Sequence, residues 1–271
     1  MNNLIKRSLT GLIFVVVVVG AIALSKYSFF ILFLGLIVLG MNEFFNLIVN
    51  NDNKFQKILG IILASIVFIS NYIYAQEIVD SRIFLIIIVL VIMVFIVELY
   101  LQKELPFSNI ANTIIAVLYI AVPFSLINYM VFRNSNIEYN SHLILGFLFL
   151  TWSYDSFAYL FGVSFGKHRL FERISPKKSW EGFIGGIILS IFTAYIVSLF
   201  FQDLQFVQWV IVSLIASIGG TFGDLTESML KRSVNIKDSG NILPGHGGIL
   251  DRFDAVLVSL PLFYVYLQLL N

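Results

Sequence analysis

Asp224, Glu227 and Ser228 stand at i, i+3 and i+4, a spacing that puts all three side chains on one face of a helix. That face is acidic, and Gly219, Gly220 and Gly223 just before it let a second helix or a ligand approach the backbone closely. The plainer alternative is a helix-end ion pair between Glu227 and Lys231 with Asp224 reaching for the headgroups, which leaves the glycines unexplained. Downstream, Asp251 and Asp254 repeat the i, i+3 spacing on the first turn of the expected last helix, where a carboxylate also serves simply as a cap. Between the two acidic pairs lies Pro244-Gly245-His246-Gly247-Gly248. A turn of this kind exposes successive backbone N–H groups and leads into a helix N-terminus, so it reads as a phosphate cradle.

Carboxylate oxygens are hard ligands, and with no Cys in the chain any metal must use oxygen or imidazole. One or two carboxylates plus substrate phosphates and water suit Mg²⁺, so a polyphosphate–Mg²⁺ site is the natural inference. Lys231, Arg232, Lys237 and Arg252 bring positive charge to the same phosphates, and His246 is either a hydrogen-bonding loop residue or a proton carrier. A third group runs from Asp155 to Gly182. Within it, Gly162 to His168 falls one residue short of a phosphate-binding P-loop and has His168 where Ser or Thr is required, which excludes that motif. Gly162 and Gly166 form a small-xxx-small helix contact. Lys177, Lys178 and Trp180 fit either substrate phosphate or an interfacial anchor at the headgroups.

The elements that must position these groups lie in a bilayer. Only 12% of the 271 residues are charged, 59% are hydrophobic and the mean hydropathy is +0.92. A net charge of +1 argues against a nucleic-acid partner held by bulk electrostatics. A spanning helix takes about 20 mostly apolar residues. Such stretches lie near 8–25, 28–48, 56–75, 83–101, 110–131, 141–162, 183–201, 207–228 and 254–270. The expectation is therefore an all-α polytopic membrane protein of about nine helices, the first of them a membrane helix rather than a cleaved leader. Residues 1–140 would carry about five helices, and residues 141–271 a catalytic region of about four helices and two loops. With the N-terminus inside, only Lys26, Arg82 and Arg133 of the seventeen Lys and Arg fall outside. That asymmetry orients the N-terminus and the site toward the cytoplasm, with the plasma (inner) membrane of a bacterium as the expected location.

The run from Ser228 through Lys231-Arg232, Lys237-Asp238, Pro244-Gly245-His246-Gly247-Gly248 and Asp251-Arg252-Phe253-Asp254 resembles, without a gap, the C-terminal signature of phosphatidate cytidylyltransferases. Ser175-Pro176-Lys177-Lys178-Ser179-Trp180-Glu181-Gly182 resembles a second motif of that family, with Ser179 where Thr is commoner. The resemblance implies a Mg²⁺-dependent reaction of CTP with phosphatidic acid, giving CDP-diacylglycerol and pyrophosphate in a membrane-lipid setting. It implies Asp224 and Asp251 as metal ligands, with Glu227 and Asp254 behind them, and a second metal ion about 3.5–4 Å from the first if two are used. Ser175, Lys177, Lys178, Ser179, Ser228, Gly245, Gly247 and Gly248 follow as substrate-binding residues, and Asp224, Asp251, Lys231, Arg232, Lys237, His246 and Arg252 as the catalytic set. Two rivals share the membrane setting. A CTP-dependent polyprenol or phytol kinase would transfer the γ-phosphoryl group instead, and a transporter would place its charges near the midplane rather than at one face. Glycine-rich helix faces such as Gly182 to Gly186 permit a homodimer.

Overall fold

The computed structural model describes residues 3–48, 54–133, 137–236, 239–240 and 247–270. Among the expected site residues, Lys237, Gly245 and His246 lie outside them. The chain forms two compact units, Met1–Tyr139 with Asp238–Arg252, and Asn140–Lys237 with Phe253–Asn271.

The first unit opens with α1 (Asn3–Leu24) and α2 (Lys26–Ile48). The predicted tight hairpin forms because Ser25 and Ser28 cap each other: each backbone N–H donates to the other's Oγ, at 3.1 and 3.2 Å. Then follow α3 (Lys54–Ala75), a 3₁₀ turn at Ser81–Phe84 running into α4 (Leu85–Leu101), and α5 (Pro106–Ala116). Gln102 ends α4 in the left-handed conformation and Pro106 starts α5, where its missing N–H costs nothing. A π turn at Val117–Ala121 leads to α6 (Val122–Leu126) and α7 (Asn128–Val131). Pro123 lacks the donor an α-helix would use here, which accounts for the widened turn. Phe29, Phe33, Phe68 and Phe124 are buried in this unit's core, with ring centroids 4.8 Å apart for Phe29–Phe33 and 5.6 Å for Phe33–Phe124. The outward side of α4 leaves Ile88, Val89, Ile92 and Leu99 exposed, as a lipid-facing helix should.

The second unit contains α8 (His142–Phe165), α9 (Trp180–Phe200), α10 (Phe206–Ser233) and most of α11 (Leu250–Leu269). Between α8 and α9 the chain forms an antiparallel hairpin, β1 (Arg169–Phe171) with β2 (Ser175–Ser179), which no alternation in the sequence announced. Buried Trp209 of α10 fills the space left by Gly146 of α8, and Phe147 stacks on Phe263 at 5.1 Å. Among the described residues, seven helical stretches are long and apolar enough to cross a membrane. The protein is an all-α integral membrane protein. The expected count of nine is not confirmed by that measure, in which α1 contributes a shorter apolar stretch over Leu9–Leu24.

Candidate active site

In the second unit three helices bring carboxylates together. Asp224 and Glu227 share a face of α10, Asp155 lies on α8, and Asp254 lies on the first turns of α11. The glycines make this approach possible. A Cβ at Gly223 would run into the Asp254 carbonyl oxygen, one at Gly219 would lie 2.8 Å from Ser259, and one at Gly220 would lie 3.3 Å from Ala255. Three positions along α10 therefore let α11 lie almost backbone to backbone against it, which places Asp254 beside the α10 carboxylates.

Two ammonium groups answer this negative charge. Lys178, carried in from β2, pairs with Asp224 at 2.7 Å and reaches the Thr221 carbonyl at 3.5 Å. Lys231 pairs with Glu227 at 2.5 Å, with the Glu227 side chain fully buried and that of Lys231 12% exposed. This is the i, i+4 ion pair that the sequence offered as the plainer reading. Its burial makes it costly to break, since a lone carboxylate in that place would lose about 3–5 kcal/mol of compensation. Ser228 Oγ donates to Asp224 Oδ1 at 3.2 Å, and Arg232 donates to the Ile236 carbonyl just past the end of α10, 3.1 Å away. Behind Asp224, the Tyr154 hydroxyl meets Thr221 Oγ1 at 2.5 Å. Thr221 spends its own proton on the Ser217 carbonyl, so Tyr154 is the donor.

The hairpin explains the Ser-Pro-Lys-Lys-Ser stretch. Ser175 and Ser179 occupy paired positions opposite Phe171 and Arg169, and buried Ser179 Oγ caps α9 by accepting from the Gly182 N–H at 3.2 Å. Lys177 points to solvent while Lys178 enters the carboxylate cluster. Glu181 accepts from the Lys167 and His168 N–H groups and pairs with His168 Nδ1 at 2.7 Å, fastening β1 to the first turn of α9.

Of the glycine-rich stretch in the first unit, Gly247 and Gly248 are among the described residues, and the backbone N–H groups from Gly248 to Leu250 meet carboxylates. Glu43, buried on α2, accepts the N–H of Ile249 at 2.8 Å and of Leu250 at 3.0 Å. Asp251 Oδ2 accepts the Gly248 N–H at 2.8 Å and both the N–H and Oγ of Ser239, at 3.0 and 2.9 Å. Those three N–H groups are thus satisfied by the protein's own carboxylates. Gly247 adopts φ +83, a conformation open to glycine, and a Cβ at Gly248 would collide with Glu43 and Ser239. Arg252 follows, its N–H donating to the Ile249 carbonyl at 3.1 Å.

Carboxylate oxygens would suit a hard divalent cation, and here those of Asp224 and Glu227 are paired with the Lys178 and Lys231 ammonium groups. Among the described residues, no three of His, Asp and Glu converge on one point as a finished metal cage. Sequence reasoning missed Glu43 and Tyr154. Glu43 had a signal, a single carboxylate in an otherwise apolar helix; Tyr154 had none beyond its place one residue before Asp155.

The chain matches the Cytidylyltransferase family over residues 5–270. It is 42% identical over 168 residues to the phosphatidate cytidylyltransferase of Staphylococcus haemolyticus (strain JCSC1435), covering 61% of this chain and 62% of that one. It is 41% identical, with the same coverage, to the phosphatidate cytidylyltransferase of Staphylococcus aureus (strain COL). With that of Bacillus subtilis (strain 168) it shares 40% identity over 63% of this chain and 62% of the relative. The matched part thus spans about 62% of the length of these relatives.

Proposed function

This chain belongs to the Cytidylyltransferase family, and from that premise we propose that it transfers the cytidylyl group of CTP to phosphatidic acid, releasing pyrophosphate. The observation that carries the reading is the pairing of Lys178 with Asp224 and of Lys231 with Glu227 on one face of α10, where Gly219, Gly220 and Gly223 bring Asp254 of α11 against the same helix, in a chain so poor in charge. In the reaction a phosphate oxygen of the lipid attacks the α-phosphorus of CTP and the bond to the β-phosphate oxygen breaks. Such transfers depend on positioning and charge neutralisation more than on covalent help. Mg²⁺, when bound, would neutralise phosphate charge, with Asp224 as its principal ligand and Glu227 and Asp254 behind it. Lys178 and Lys231 then trade their carboxylate partners for phosphate oxygens. Ser228 and Tyr154 hold Asp224 and the Thr221 turn in place meanwhile. The site faces the cytoplasm, where CTP is dissolved, while the lipid's tails stay in the bilayer.

The test is direct: purified protein in detergent is given CTP, Mg²⁺ and phosphatidic acid. CDP-diacylglycerol and pyrophosphate in equal amounts are expected. Release of CDP with phosphorylation of a lipid alcohol would identify a kinase instead, and no lipid product with any nucleotide would remove the enzymatic reading.

A further inference from the structure

We infer that Glu43, far from the motifs in sequence, is a positioning residue that holds Ser239, the chain from Gly248 to Leu250 and, through Ser239, Asp251 in their working arrangement. Its bearing on turnover rests on the cytidylyltransfer reading above. Three observations carry it. Glu43 is 3% exposed, its two oxygens accept the N–H groups of Ile249 and Leu250, and Ser239 Oγ, whose proton goes to Asp251, lies 3.4 Å from Oε2. The two N–H groups are orphan donors at the start of α11, which a carboxylate satisfies and which water cannot reach. Next, the segment is shaped around that carboxylate. A Cβ at Gly240 would lie 2.7 Å from Glu43 Oε1, and one at Gly248 would run into both Glu43 oxygens. Finally, Ser239 is shared: its Oγ meets Glu43 at 3.4 Å and Asp251 at 2.9 Å, so loosening Glu43 loosens the clamp that orients Asp251.

The isosteric Glu43→Gln variant separates this role from mere filling of space. Glutamine keeps the volume but puts an NH₂ where one backbone N–H needs an acceptor, leaving a buried donor unsatisfied. We expect Glu43→Gln and Glu43→Ala to lower kcat by about tenfold or more, since a loss of about 1.4 kcal/mol corresponds to tenfold. KM for CTP should change by less than about threefold, as for loss of alignment rather than of ground-state binding. Glu43→Asp, which keeps the charge and both oxygens, should recover part of the rate. Hydrogen exchange read by mass spectrometry on the full-length protein should accelerate in both variants at the peptide spanning residues 247–252 and not in the other helices. Glu43→Gln turning over within about twofold of the native protein, unchanged exchange at that peptide, or acceleration spread over the whole protein would each overturn the inference. A native protein inactive with CTP and phosphatidic acid would sink the activity reading alone, because the exchange at Ile249 and Leu250 still decides the role of Glu43.

Discussion

Lys178 is where two readings of the loop before α9 diverge, interfacial anchor or phosphate ligand. Its ammonium group is 2.7 Å from Asp224 and its neighbour Lys177 faces solvent, so the two lysines of the motif have different work. If Lys178 moves from Asp224 to substrate phosphate, Lys178→Met should lower kcat/KM by about tenfold or more, whereas Lys177→Met should stay within a fewfold of native, in initial rates at varied CTP. Asp224→Asn should reduce turnover by on the order of 100-fold or more with an unchanged melting transition in detergent. Near-native rates at saturating Mg²⁺ would remove Asp224 from the site. Asp251 calls for a different readout. Its Oδ2 already accepts three hydrogen bonds from Ser239 and Gly248, so Asp251→Asn should loosen that segment as well as slow turnover. A shift in Mg²⁺ dependence without faster exchange at residues 247–252 would instead return Asp251 to the metal-ligand role that the resemblance implied.

Among the elements, α10 owes its function to what its glycines omit. Gly219, Gly220 and Gly223 admit α11, and Gly182, Gly185 and Gly186 admit α8 against α9; a Cβ at Gly182 would lie 2.6 Å from the Ala158 carbonyl. Substitution there forces backbone apart, so Gly223→Ala and Gly182→Ala should each destabilise by about 1–3 kcal/mol. Gly20 and Gly35 have nothing within 4 Å of such a Cβ, and Ala there should be neutral or raise the melting temperature slightly. Thermal unfolding in one detergent distinguishes the two classes. The glycine stripe of α10 was legible as spacing, but its partner was not, because sequence gives a face and not what lies against it. The hairpin between α8 and α9 escaped for a related reason. Its register is set by Ser179 capping α9 and by Glu181 holding Lys167 and His168, contacts made across the turn rather than along a strand.

For the whole molecule, the absence of Cys turns orientation into a clean experiment. Single cysteines at exposed Lys177 and Arg82 should label from opposite sides of the membrane, Lys177→Cys with the cytoplasmic face. Labelling of both from one side would overturn the orientation inferred from the Lys and Arg asymmetry. In the two-unit division, the segment from Asp238 to Arg252 belongs with the N-terminal helices rather than with the stretch that precedes it in sequence. Glu43 accounts for that membership physically, since a buried carboxylate and the orphan N–H groups at the start of α11 each satisfy the other.

Sequence alone determined the bilayer as solvent, because apolar runs of spanning length need no tertiary partner to be recognised. It also determined which charges deserve a functional reading, since ionisable groups are too costly among apolar helices to be there by default. Only the tertiary structure decided which groups meet. Lys178 on Asp224, Asp254 against α10 and Glu43 on the N–H groups of Ile249 and Leu250 each join elements whose approach depends on side-chain volume and unsatisfied backbone donors. The motif from Lys231 to Asp254 was visible as chemistry from the start. That the N–H groups of Ile249 and Leu250 are taken by Glu43 follows from the position of α2, which nothing within the motif encodes.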